Sequence, residues 1–105
     1  MWIYLTEGAF SIVAHRDKPD HLLVRSRQPD SIRRAFPHAK QYYIQDADYP
    51  YRADILRDDV ISFLERRLSL LNYDNFKNTV DDYDYSSLLN KVWATYFNWG
   101  EKYRD

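Results

Sequence analysis

Apolar and polar residues alternate along much of the first half of the chain, with the two-residue period of a β-strand. This period places alternate side chains toward a core and toward solvent. It predicts five strands, at residues 2–6, 10–16, 21–27, 41–45 and 51–57. In the fifth strand, the pattern turns Ala53 and Ile55 inward and leaves Arg52 and Asp54 on the opposite face.

The connections between the predicted strands carry turn-forming residues. Gly8 marks the first turn, and Asp17–Asp20 separates the second and third strands with a proline between two acidic residues. Proline presets one backbone dihedral and aspartate bonds to its own backbone, so four such residues between two strand-like runs predict a hairpin.

Three segments have a helical period instead, and the two longer ones lie in the second half of the chain. A short helix is predicted after Asp30 or Ser31 and ends before Pro37. A longer amphipathic helix, capped by Asp58 and Asp59, has apolar residues at helical spacing. They are Val60, Ile61, Leu64, Leu68 and Leu71. After a short turn within residues 74–80, a last helix begins at Asp84 or Ser86 and ends with Gly100 as the residue just beyond its C-terminus, which leaves a frayed tail at 101–105.

This order of elements predicts an α+β fold. Paired strands followed by helices indicate an antiparallel sheet of four to five strands with helices on one face. Two successive ββα units make it a ferredoxin-like variant. At 105 residues and 12.7 kDa, the chain has the size of one domain, which we expect to span residues 1–105.

Composition removes several kinds of function. The absence of cysteine excludes disulfides, thiolate metal sites and cysteine catalysis. The N-terminus lacks the pattern of a signal peptide, and no apolar run reaches the ~20 residues of a membrane helix, so we expect a cytoplasmic protein without a membrane partner. The net charge of −1 gives no global attraction to nucleic acid, although the first half is slightly basic and the second acidic.

Basic residues suggest an anion-binding site. Arg25 and Arg27 are two residues apart on one strand and share a face, and Arg52 stands on a later strand. Arg16, across the hairpin, and Lys77 are further candidates. Arginines with tyrosines beside them could bind a phosphate, a nucleotide or a nucleic acid. The alternative is a solvated face whose charges pair with neighbours and contribute little.

Aromatic residues at the C-terminus suggest a protein interface. The candidates are Trp93, Tyr96, Phe97, Trp99 and Tyr103. They cover more than a narrow stripe, so some of this surface should stay exposed and bind a protein partner or a second copy of the chain. The alternative is ordinary core. A nearby acidic run at 81–84 could solvate a loop, or face a basic partner as in phage-type inhibitors that mimic nucleic acid.

Histidine and aspartate flank the predicted hairpin loop. His15, Asp17, Asp20 and His21 could converge on a metal ion, as in a metal-dependent hydrolase. The alternative is that the aspartates build the turn and the histidines end the strands. No nucleophile elbow or phosphate-binding glycine loop is present, so the sequence predicts no catalytic residue and no cofactor, and it favours a non-enzymatic protein.

Several short motifs occur in a recognisable order. They are Met1–Ile3, Phe10–Arg16, Leu22–Arg27, Asp48–Ala53, Tyr73–Lys77 and Val92–Trp93. Together they resemble a family of bacterial proteins of about this length that are generally labelled hypothetical. The resemblance implies a compact single domain and no particular activity. The chain departs from it at Ala9, where those proteins have an aromatic residue.

These observations lead to a ranked prediction. The leading function is a small binding protein that acts through protein contact or homodimerisation. The second is an arginine and tyrosine sheet face that binds phosphate, a nucleotide or nucleic acid. The weaker alternatives are the acidic inhibitor and the metal-dependent hydrolase.

Overall fold

A computed structural model describes residues 1–104 of the chain. The chain divides into two compact units, Met1–Leu71 and Asn72–Asp105. The first unit contains β1 (Trp2–Leu5), β2 (Gly8–Ala14), β3 (His21–Ser26), α1 (Ser31–Ala35), β4 (Tyr42–Tyr43), β5 (Tyr51–Leu56) and α2 (Arg57–Ser69). The second contains α3 (Tyr83–Gly100) and two 3₁₀ turns, Phe76–Thr79 and Glu101–Tyr103. That the chain forms one domain stays a prediction.

The five strands of the described chain form one antiparallel sheet in the order β1-β2-β3-β5-β4. The α+β class, the five-stranded antiparallel sheet and the three helices of residues 1–104 are confirmed. The ferredoxin-like order is not confirmed. Most strands lie beside the strand next to them in sequence, and β5 inserts between β3 and β4.

One face of the sheet, the packed face, carries the core of the first unit. Cross-strand partners Ile12, Val24 and Ala53 lie in one row on it, because β2 pairs with β3 and β3 with β5. The core adds side chains from both helices of this unit. Its buried residues are Phe10, Ile12, Val24, Ile32, Ala35, Ala53, Ile55 and Val60. The inward direction predicted for Ala53 and Ile55 is therefore correct.

Gly8 lets α1 approach the packed face closely. Its φ of 145° lies in a region that side-chain-bearing residues rarely adopt. A methyl group on Gly8 would lie 2.6 Å from Cβ of Ser31, the first residue of α1, and closer still to its hydroxyl. Gly8 closes the turn between β1 and β2, as the sequence predicts, and is also the first residue of β2. Its backbone angle and the space beside it both require glycine.

Three details at the helix ends differ from the predictions. Asp58 and Asp59 lie in the first turn of α2 and do not cap it, since the capping position is Leu56. Gly100 is the last residue of α3, with a helical φ of −71°, so it is not the left-handed residue beyond the helix. The tail predicted to fray forms a 3₁₀ turn at Glu101–Tyr103, and Asp105 lies outside the described residues.

The second unit is built around α3. Asp82 caps this helix by accepting a hydrogen bond from the Tyr85 backbone N–H at 2.9 Å, which satisfies one of the free donors of the first turn. Asn75 caps the preceding 3₁₀ turn in the same way. Among residues 1–104, no helix has the length and apolar character needed to cross a bilayer.

Candidate functional site

The second face of the sheet carries a polar and aromatic row that crosses all five strands. The register places Trp2 opposite Ser11, Ser11 opposite Arg25, Arg25 opposite Arg52, and Arg52 opposite Tyr42. Cross-strand partners point to the same face. Both helices of the first unit contribute to the core on the packed face. We call the opposite one the arginine face.

Arg25 is fixed in the middle of this row. Its Nη2 donates a 2.7 Å hydrogen bond to the hydroxyl of Ser11, which is buried. Its guanidinium carbon lies 4.8 Å from the centre of the Tyr49 ring, a cation–π distance. Arg25 is therefore held by a neutral hydroxyl and an aromatic ring.

Arg27 and Arg52 are held by the connection between β4 and β5. Arg27 Nε donates to the Asp48 carbonyl oxygen at 3.1 Å, and Arg52 Nε donates to the Tyr49 carbonyl oxygen at 2.9 Å. The Arg27 guanidinium carbon also lies 4.3 Å from the centre of the Tyr49 ring. Tyr49 thus contacts three arginines, two through its ring and one through its backbone.

The charges of this arginine cluster, defined as Arg25, Arg27 and Arg52, are not neutralised within the described chain. None of the three forms an ion pair with a carboxylate of residues 1–104. Arg25 and Arg52 stand directly opposite each other, an arrangement that is unfavourable for like charges. A bound anion would relieve this repulsion.

The arginine cluster also keeps donors available. A guanidinium has five N–H groups in a rigid fork. Arg27 and Arg52 each use only Nε for a side-chain hydrogen bond, so within residues 1–104 the terminal nitrogens of both have no hydrogen-bond partner. In each of these two guanidinium groups, Nε fixes the position and the two terminal nitrogens can donate to a ligand.

Asp54, on the same face, belongs to a separate network. Its carboxylate accepts hydrogen bonds from Lys18 at 2.9 Å and from the Tyr42 hydroxyl at 2.9 Å, and it lies 3.1 Å from His15 Nε2. Burial opposes ionisation of Asp54, but the hydrogen bonds from Lys18, Tyr42 and His15 outweigh it, so the pKa of this carboxyl is lowered. Burial first, and then the bond to Asp54, raise the pKa of Tyr42.

The histidines and aspartates proposed as metal ligands make other contacts. His15 Nδ1 accepts from the backbone N–H groups of Asp17 and Lys18, both at 3.1 Å, while His21 Nδ1 lies 2.7 Å from Asp20. The hydrogen bond to His21 lowers the pKa of Asp20. Within the described residues, no group of three or more histidine or acidic side chains is arranged to hold a metal ion.

The other predicted cations lie apart from the arginine cluster or in the second unit. Arg16 is exposed in the β2–β3 connection, five residues along the chain from Ser11 and so roughly 16 Å away if extended. Lys77 belongs to the second unit, where its ammonium lies 4.6 Å from the Trp93 ring centre.

The predicted protein interface lies on the C-terminal half of α3 and the turn after it. All five of its candidate residues are exposed: Trp93, Tyr96, Phe97, Trp99 and Tyr103. They stack on one another, with ring centres 5.1 Å apart for Trp93 and Phe97 and 5.7 Å apart for Tyr96 and Trp99. We call this surface the aromatic patch. In the acidic run before it, Asp82 caps α3 and Asp84 lies in its first turn.

Comparison of the chain with protein-family models, with curated proteins and with solved structures finds no match in any of the three.

Two residues of the arginine face escaped the sequence prediction. Neither Tyr49 nor Asp54 is among the site residues that the sequence predicts. The one local signal for Tyr49 is the following Pro50, which favours an extended backbone before it. Their contacts depend on the pairing of β3 with β5 and of β5 with β4, which joins residues far apart in sequence.

Proposed function

We propose that the protein binds a phosphate-bearing ligand at the arginine cluster. The observation that carries the proposal is the state of the three guanidinium groups. Neutral acceptors hold them in place, and no carboxylate of residues 1–104 neutralises them. Three guanidinium groups that are fixed in place and lack an acidic partner can be neutralised by the charge of a bound phosphate.

The chemistry of the cluster suits a phosphate group. Guanidinium is planar and binds two phosphate oxygens at once, and charge-assisted bonds of this kind are about twice as strong as neutral ones. Tyr49 keeps the Arg25 and Arg27 side chains beside one ring, which reduces the entropy that they lose on binding. Three cations also match the multiple negative charge of a phosphate better than they match the single charge of a carboxylate.

The direct test is a calorimetric titration of the protein with inorganic pyrophosphate at low salt. Each of Arg27→Gln and Arg52→Gln should weaken binding by about 1.5–3 kcal/mol, since a charged hydrogen-bond donor is lost. Arg34→Gln on α1 is the matched control, because Arg34 is exposed and lies outside the cluster. Equal affinities for the three variants and the native chain would contradict the proposal.

We propose self-association through the aromatic patch as a second function. Five aromatic side chains are exposed within eleven residues. Because each is about half accessible, together they expose roughly 500 Å² of surface. The largest apolar patch of a monomer is of about this size and is often functional. A second copy of the chain carries the same exposed rings, and two identical patches can cover each other across a two-fold axis, so we favour a homodimer.

Light scattering over a range of protein concentrations tests this second function. The native chain should change from about one to two chains per particle, and Trp99→Lys should keep it monomeric. Lys91→Ala, an exposed change elsewhere on α3, is the control. A native chain that stays monomeric at high micromolar concentration would exclude the homodimer.

A further inference from the structure

The arginine face extends beyond the arginine cluster, and its outer residues are aromatic. From this arrangement we infer that the phosphate-bearing ligand is a short single-stranded nucleic acid, which lies across the strands and stacks bases on Trp2 and Tyr42. The inference deepens the proposed function and rests on it.

The register fixes the geometry of the row. Trp2 is on the edge strand β1 and Tyr42 on the opposite edge strand β4, with Arg25 and Arg52 between them on the two strands that pair with each other. Four steps between neighbouring strands span on the order of 19 Å. That length is comparable with the shortest single-strand sites, of roughly four nucleotides.

Trp2 has no evident structural role. It is 74% exposed, and its ring contacts no other aromatic ring or cation among the described residues. The exposed indole on this edge strand presents a large flat apolar surface to another molecule. Bases stack well on such a ring, whatever their identity.

Tyr42 is suited to the same role at the other end. It is 39% exposed, and its hydroxyl is held by Asp54 at 2.9 Å, which restricts the side chain. A restrained ring loses little entropy when a base stacks on it. Tyr42 and Lys18 both bind the Asp54 carboxylate. Asp54 is the only acidic residue of β3 and β5, so the one carboxylate on these two strands is already paired with a cation other than the arginines.

The combination of features favours a single strand over other phosphate-bearing ligands. A lone phosphate or nucleotide would need the arginine cluster but not two aromatic residues at opposite edges of the sheet. A duplex hides its bases from stacking and needs a wider basic surface than one row, in a chain whose net charge is −1. A phosphorylated peptide would use the arginines without requiring Trp2 and Tyr42 together.

Trp2 can report on its own occupancy. The chain has three tryptophans, so the double substitution Trp93→Phe and Trp99→Phe leaves Trp2 as the only indole. This protein is titrated at low salt with pyrophosphate, with thymidine monophosphate and with a thymidine hexanucleotide. We expect the hexanucleotide to quench Trp2 fluorescence and to bind at least ten times more tightly than the mononucleotide, with an affinity that falls as salt is added.

Substitutions then separate the two parts of the row. Trp2→Ala, made in the native chain and followed by calorimetry, should weaken the hexanucleotide roughly 5- to 100-fold and leave pyrophosphate unchanged, since only stacking is lost. Trp2→Phe should restore most of the affinity. Arg27→Gln should weaken both ligands. Because Trp2 is exposed, we expect these variants to fold, and their thermal unfolding midpoints verify it.

The outcomes distinguish the inference from the proposed function. If pyrophosphate binds in an Arg27-dependent way but the hexanucleotide binds no better than the mononucleotide or leaves Trp2 unquenched, the inference is wrong and the proposed function stands. If a phosphorylated peptide binds at the arginines in place of the hexanucleotide, the inference is likewise wrong. If none of the phosphate-bearing ligands binds at low salt, both are wrong.

Discussion

The two faces of the sheet are made from the same strands but are stabilised in different ways. On the packed face, Val24 and Ala53 are fully buried and pack against residues of α1 and α2. On the arginine face, their chain neighbours Arg25 and Arg52 form hydrogen bonds to a hydroxyl and a carbonyl, with no acidic partner in residues 1–104. The packed face gains its stability from burial, whereas the arginine face keeps charge uncompensated.

This difference indicates where stability and function reside in the first unit. Burial of apolar area is the main favourable term in folding, so changes to the packed face should mainly alter the free energy of unfolding. Unpaired like charges oppose folding slightly, and their retention needs another reason. Changes on the arginine face should therefore affect ligand binding more than folding.

The largest effect should come from the close approach of α1 to the packed face. Gly8→Ala should lower the free energy of unfolding by about 3 kcal/mol or more, because it combines an unfavourable φ with a clash against Ser31. Gly100→Ala is the control: its φ is helical and nothing lies within 4 Å of the added methyl, so it should stabilise the chain by about 0.5–1 kcal/mol. Urea unfolding of both variants measures the two free-energy changes. Changes of similar size and sign would contradict the prediction.

A smaller effect should separate two adjacent residues of β3. Val24 points into the core and is 0% exposed, while Leu23 points to the arginine face and is half-buried. Val24→Ala should cost about 2 kcal/mol of unfolding free energy, whereas Leu23→Ala should cost about 1 kcal/mol although it removes more atoms. If Leu23→Ala cost more in chemical denaturation, burial would not distinguish the two faces.

The smallest effect concerns Asp54, and it depends on pH. Asp54→Asn should lower the free energy of unfolding by about 1 kcal/mol near neutral pH, because the hydrogen bonds from Lys18 and Tyr42 to a charged carboxylate are lost. The pKa of Asp54 is lowered in the folded protein, so its contribution is complete above the ordinary carboxyl pKa of 3.8 and is lost as the pH falls through the lower folded value.

Denaturant unfolding of the native chain and of Asp54→Asn at several pH values measures this contribution. The difference between the two proteins should be constant from about pH 5 to 7 and should shrink toward zero as the pH falls below about 4. A difference that grew on acidification would show that the Asp54 pKa is raised. Asp46→Asn is the control, because Asp46 is exposed and its side chain forms no ion pair or hydrogen bond among residues 1–104.

The sequence was most informative about which residues lie on which face. Alternation in β5 correctly turned Ala53 and Ile55 inward and Arg52 and Asp54 outward, because the two-residue period is a local property of an extended chain. Helix ends were less well predicted. Gly100 resembles a residue just beyond a helix in the sequence, yet it is the last residue of α3 and has a helical φ.

The candidate site could be predicted only in part. The sequence placed Arg25 and Arg27 on one face by their spacing, and it proposed that Arg52 could join them. It did not identify Tyr49, whose ring lies beside two arginines and whose carbonyl binds the third. A residue in a connecting loop carries no periodic signal, so nothing local indicates which strand it will cover.

The sequence by itself determined the α+β class, the alternation of the strands and the absence of cysteine chemistry, because these follow from local periodicity and composition. Only the tertiary structure decided that β5 pairs with β3, and this pairing places Arg52 opposite Arg25 and Asp54 opposite Leu23. Strand pairing depends on how distant segments bury their apolar faces together. The arginine cluster is therefore a product of long-range packing, although each of its members is visible in the sequence.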